Sequence, residues 1–219
     1  MAYGVSSNSF LLTLGLAPAV ASATIHTSEV FTTLASGVSH LKVGNVDRNL
    51  FKKMVIPGCL MASIGAYVLV NFPSGLIRPL VNLYLGAIGI VILFRVFNVN
   101  LIMRKVNRSV LAGIGGFMDA VGGGGWGPIV TSTLIANGED PVKTIGTVNL
   151  TEFFVTICES AVFIALMGFQ NLHLVVALII GGVVAAPVGA IVCRKAPRRV
   201  LMTLVGCTII ALSIRGLLA

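Results

Sequence analysis

Polar residues are sparse along this chain and punctuate long apolar runs. "FKKMVIPGCLMASIGAYVLVNF" and "LHLVVALIIGGVVAAPVGAIVC" each supply close to the ~20 residues that a membrane-spanning helix needs. Neither run alternates apolar and polar positions, as the ~10-residue strands of an outer-membrane barrel would. The pattern predicts helices at 3–16, 25–41, 52–71 and 78–97, and then at 109–122, 125–137, 147–168, 172–193 and 198–217. This is an all-α integral membrane protein with about 8–9 membrane segments, since helices satisfy their own backbone in lipid.

One stretch breaks the pattern. "GGGGWGP", Gly122 to Pro128, separates "VLAGIGGFMDAV" from "IVTSTLIAN". Glycines let the chain turn with positive φ and let a ligand approach the backbone. Pro128 suits a first helical turn, where its missing N–H costs nothing. A segment of about twelve residues is roughly 18 Å long, too short for a ~30 Å hydrocarbon core. Segments 3–16 and 125–137 are therefore expected to be half-helices ending inside the protein. A helix N-terminus in such a place offers N–H donors and partial positive charge, a ready anion site. Close helix packing through small residues is the competing reading of the same glycines.

Composition agrees. The chain is 56% hydrophobic and only 10% charged, with a mean hydropathy of +1.00, against roughly 25% charged residues in a soluble domain. The net charge of +8 does not point to nucleic acid. Twelve of the fifteen Lys and Arg fall within 42–53, 95–108 and 194–199. Short basic loops beside apolar helices mark the cytoplasmic side. Cys59, Cys158, Cys193 and Cys207 lie in apolar segments without metal spacing and read as small core residues.

Sliding the chain by 123 residues reveals an internal repeat. Among thirty aligned positions nine are identical, including Gly4/Gly127, Gly15/Gly138, Pro18/Pro141, Thr24/Thr147, Glu29/Glu152 and Thr33/Thr156. The halves are 1–100 and 101–219, and the first lacks a counterpart of 109–123; either that helix is absent or, the favoured expectation, the chain starts at an internal methionine. Keeping all basic windows inside requires 109–122 and 125–137 together to return to the same side. The loop at 17–24 then lies outside and its mate at 138–146 inside. The repeats are inverted, the arrangement that supports alternating access in secondary transporters.

Four of the seven acids, Glu29, Asp119, Glu152 and Glu159, lie in apolar segments. Ionisable groups there face a cavity or a partner. Glu29 and Glu152 are repeat mates; proton coupling and a structural bond to the other half's broken helix are the two roles open to them. Asp119 can cap or orient the glycine turn. Candidate substrate-binding residues are the turn itself, Gly123, Gly124, Gly125 and Trp126, with the neutral donors Ser6, Ser7, Asn8, Thr27, Thr147, Asn149 and Thr151. Thr24 lies at the same level. His26 either joins these donors or is a satisfied structural histidine. Trp126 and its mate Tyr3 either wall a pocket or anchor at an interface.

No H-x-x-x-H, paired-carboxylate or G-x-S-x-G motif and no nucleotide-binding loop is present, so no metal, cofactor, catalytic residue or enzymatic activity is expected. An integral membrane enzyme and an accessory membrane subunit are the alternatives.

"GFMDAVGGGGWGP", "PVKTIGTVNLTEFF", "GLAPAVASATIHTSEVF" and "HLKVGNVD" resemble the sulfite exporter TauE/SafE family over essentially the whole chain. The resemblance implies a permease of the bacterial inner membrane for sulfite, thiosulfate or an organosulfonate. Its partners would be a small anion and the lipid bilayer.

Overall fold

The computed structural model describes residues 3–72, 74–96, 106–131, 133, 134, 137, 139–195 and 198–218. Its elements are α1 (Tyr3–Thr13), α2 (Pro18–Lys42), α3 (Arg48–Asn71), α4 (Ser74–Val96) and α5 (Arg108–Gly122). A π-helical turn at Gly127–Thr131 follows, then α6 (Pro141–Met167), α7 (Leu172–Lys195) and α8 (Arg198–Leu218). The described residues contain no strand. Of the expected half-helix 125–137, positions 132, 135 and 136 lie outside the described residues, as do 97–105 of the basic window 95–108 and the side chains of 194–198.

Two boundaries differ from expectation. α2 begins at Pro18 rather than at 25, and α6 at Pro141 rather than at 147, so most of the predicted loops 17–24 and 138–146 is helix. Proline opens both helices, and the Asp140 carboxylate caps α6 by accepting from the Lys143 N–H at 2.8 Å. Hydroxyls along these helices return their protons to carbonyls four residues back. Thr24 donates to Val20 and Thr27 to Ala23, each at 2.7 Å, and Thr147 donates to Lys143 at 2.6 Å. In apolar surroundings this local bond keeps the hydroxyl satisfied without leaving the helix.

Helix α3 explains why the pattern read as membrane. Leu50, Met54, Ala62, Ala66 and Leu69 are buried, yet Ile56, Leu60, Ile64 and Tyr67 on the other face are exposed. A helix apolar all round belongs in lipid or a deep core. Among the described residues two helices, Arg48–Asn71 and Val142–Met167, are long and apolar enough to cross a bilayer.

The helices pair α3 with α5, α2 with α6 and α4 with α8, while α3 also packs on α6 and α2 on α7. α2 and α6 run antiparallel. A Cβ at Gly146 would meet Asn45 and one at Gly37 would meet Leu150; Thr33 lies beside Thr156, and His26 stacks on Phe163. α3 and α5 run side by side from a common end, where the Ser109 hydroxyl donates to the Lys53 carbonyl at 3.0 Å. Arg108, which opens α5, pairs with Glu139. The chain that leaves this end at 108 has therefore come back to it by 139.

The turn and α1 meet in the interior. Gly124 packs so closely on Gly4 and Val5 that a Cβ there would strike their backbone. From this junction the two segments go opposite ways. Leu11 and Leu12 of α1 join Ala66 and Leu69 in one core cluster. Val130 and Leu134 join Leu50 and Met54 in another, toward the Lys53 end.

Candidate functional site

The break in the backbone is built on Asp119. α5 ends with Gly123 in the left-handed region at φ 63°, followed by Gly124 at 123° and Gly125 at 156°. The Gly123 and Gly124 N–H groups both donate to the Asp119 carbonyl, and its side chain Oδ1 accepts from the Trp126 N–H at 2.8 Å. Asn8 Nδ2 donates to the Gly122 carbonyl at 2.6 Å, and the Ser22 hydroxyl donates to the Ala120 carbonyl at 2.6 Å. Helices α1 and α2 thus hold the last carbonyls of α5, groups that a helix end otherwise leaves unpaired.

The turn is expected to offer its amides to an anion. In the structure the Gly123 and Gly124 amides donate to the Asp119 backbone carbonyl and the Trp126 amide to the Asp119 carboxylate. The helix after the break is also not regular: a π-helical turn replaces it over Gly127–Thr131.

Beside the turn lies a cluster the sequence reading left scattered. His26, Asp119 and Glu159 are at most 1% exposed and Glu29 is 4% exposed. His26 Nε2 lies 3.1 Å from the Asp119 carbonyl oxygen. Its Nδ1 lies 2.9 Å from Glu159 Oε2 and 3.1 Å from Glu29 Oε2. His26 is therefore no ordinary structural histidine; it centres the polar core. Glu159 was missed as a site residue. Its signal was helical spacing: Glu152 and Glu159, seven apart, share a face of α6, as Ser22, His26, Glu29 and Thr33 share a face of α2.

The remaining candidates divide. Asn8 is buried against the turn, with Ser6 and Ser7, the two residues before it, half-buried. Glu152 is 9% exposed. Trp126 is fully buried, its Nε1–H donating to the Val148 carbonyl at 3.2 Å, which rules out an interface anchor. Thr27, Thr147, Asn149 and Thr151 all donate to carbonyls of their own helices. Thr147 also accepts from the Asp47 N–H at 2.8 Å, at the basic-loop end of the bundle, so it does not share a level with the turn. Cys207 is exposed rather than core, while Cys59 and Cys158 are half-buried.

An open cleft of about 570 Å³ lies at the Lys53 end, lined by Lys53, Arg108, Ser109, Asn137 and Glu139. It sits where the segment after the break returns to the end of the bundle. A cationic mouth raises the local concentration of anions.

An apolar all-helical chain, broken at an interior turn and carrying buried acids, is a membrane transporter by class. The chain belongs to the sulfite exporter TauE/SafE family, whose model matches residues 1–216. It is 41% identical to a probable membrane transporter protein, YtnM, of Bacillus subtilis (strain 168), over all of this chain and 76% of that protein. No solved structure matches it.

Proposed function

We propose that this chain is a secondary transporter for a small anion (sulfite, thiosulfate or an organosulfonate), coupled to protons through Glu29 or Glu152. In this reading it lies in the bacterial inner membrane with 42–53, 95–108 and 194–199 in the cytoplasm. Residues 1–100 and 101–219 are inverted repeats. The antiparallel run of α2 against its mate α6, with Thr33 beside Thr156, supports the inversion.

The observation that carries the reading is the meeting of Gly4 and Gly124 at the joint between two oppositely directed segments. Interior breaks of this kind place backbone groups at mid-membrane, where transporters bind solutes. The anion enters by the basic cleft and binds beside Gly123–Trp126, with Ser6, Ser7 and Asn8 completing the pocket. Asp119 acts as the resident anion and releases the Trp126 amide when substrate arrives.

The test is flux in sealed proteoliposomes with sulfite, thiosulfate and sulfoacetate, with and without a pH gradient. At least one anion should move faster than in protein-free vesicles, and Glu152→Gln or Glu29→Gln should abolish the response to the gradient. Flux of none of the three sinks the anion assignment. An unchanged pH response in both variants sinks the proton-coupling role.

A further inference from the structure

An anion carrier lined with carboxylates contradicts itself electrostatically unless something positive sits among them. Glu29, Asp119 and Glu159 are all buried, and among the described residues neither Lys nor Arg pairs with any of them. Uncompensated buried charge costs several kcal/mol per ion. His26 alone does not resolve this. A carbonyl oxygen only accepts, so the contact with the Asp119 carbonyl puts a hydrogen on His26 Nε2. As an imidazolium the ring would offset one carboxylate of three; as the neutral ring it keeps a lone pair at Nδ1, 2.9 and 3.1 Å from two carboxylate oxygens. Nδ1, Glu29 Oε2, both Glu159 oxygens and Asp119 Oδ2 are buried without a hydrogen-bond partner.

Electron-pair donors converging in this way describe a coordination shell. One ligand atom each from His26, Asp119 and Glu159 lie within 4.8 Å of one another. Around an ion with ~2.1 Å bonds, adjacent octahedral ligands stand about 3.0 Å apart, which is close to the spacing of Nδ1 from Glu159. A metal-binding histidine commonly fixes its ring by donating the other N–H to a carboxylate or backbone carbonyl, and His26 Nε2 has such a partner. One imidazole with carboxylates suits a divalent ion of the manganese or zinc kind rather than an alkali ion.

We propose that His26 Nδ1, Glu159 and Asp119 Oδ2 bind one divalent first-row metal ion beside the glycine turn. Its charge offsets the acids and leaves the neighbourhood of Gly123–Trp126 open to an anion. Glu29 and Glu152 stay outside this shell, free for the proton role. The metal site rests on the cluster's geometry and stands whether or not the anion assignment does.

The full chain, purified in detergent, is loaded with Mn2+ or Zn2+, desalted and analysed for bound metal. About one ion per chain should remain, and it should raise the unfolding temperature. His26→Asn and Glu159→Gln should each lower retention at least about tenfold, while Thr33→Val retains it. Should the variants fail to fold, electron spin-echo spectra of Mn2+ on the wild-type chain should show coupling to a single imidazole nitrogen. Retention below about a tenth of an ion per chain, equal retention in His26→Asn, or no nitrogen coupling overturns the site. Metal retention without anion flux leaves the site intact and removes only the anion reading.

Discussion

The polar stripe of α2 and its counterpart on α6 align 123 residues apart in the proposed repeat, yet they carry different chemistry. On α2 the stripe reads Ser22, His26, Glu29 and Thr33; on α6 the same positions hold Ile145, Asn149, Glu152 and Thr156. The threonines keep their identity and meet at 3.5 Å. The glutamates keep theirs, but only Glu29 touches the histidine. At the other two positions the halves part company. Ser22 and His26 hold α5 by its Ala120 and Asp119 carbonyls, whereas Asn149 bonds to Ile145 of its own helix. Among the described residues of the first half no helix is the counterpart of α5. The lesson is that the repeat supplies the scaffold, and the chemistry gathers where the repeat fails.

The heaviest blow to the asymmetric half is Gly124→Ala. Its φ of 123° disfavours any L side chain, and a Cβ would strike the Gly4 and Val5 backbone. Strain and overpacking together should cost more than about 3 kcal/mol. Thermal unfolding in detergent should show a large drop, and flux should vanish. A near-normal melting temperature would mean that the two segments do not abut.

A second pair of repeat mates tests the same contrast more gently. Gly58 and Gly181 correspond, but a Cβ at Gly58 would lie 2.9 Å from the Trp126 ring, whereas one at Gly181 would meet nothing within 4 Å. Gly58→Ala should cost about 1–3 kcal/mol as the indole is forced aside. Gly181→Ala should change stability by no more than about 0.5 kcal/mol. Equal effects on the melting temperature would deny that Trp126 makes the first half's glycine special.

Much of this architecture was legible because backbone-determining residues carry it. The glycine run marks the break in the sequence itself. The starts of α2 and α6 are expected at 25 and 147, but Pro18 and Pro141 open these helices, as proline suits a first helical turn. The cluster was less legible. Nothing in the sequence says that His26 reaches across to Glu159 on another helix, or that Asp119 uses its side chain on Trp126 and its carbonyl on His26. Helical spacing exposed both stripes, but only their antiparallel packing shows which members meet.

The smallest effect is expected where the halves agree most. Thr33 donates to the Glu29 carbonyl at 2.5 Å and Thr156 to the Phe153 carbonyl at 3.0 Å. Each hydroxyl proton is already engaged, so the 3.5 Å approach of the two oxygens has no hydrogen to share. It marks close packing of mates rather than a bond between halves. Interhelical polar contacts in membrane proteins couple by about 0.6 kcal/mol on average, and this pair should fall below that. A double-mutant cycle with Thr33→Val and Thr156→Val, read by chemical unfolding in detergent micelles, measures it directly. Similar single costs with negligible coupling would fit two equivalent threonines, each serving its own helix. Coupling above about 1.5 kcal/mol would show that one hydroxyl turns to bond the other, and that the symmetric contact itself clamps the two halves together.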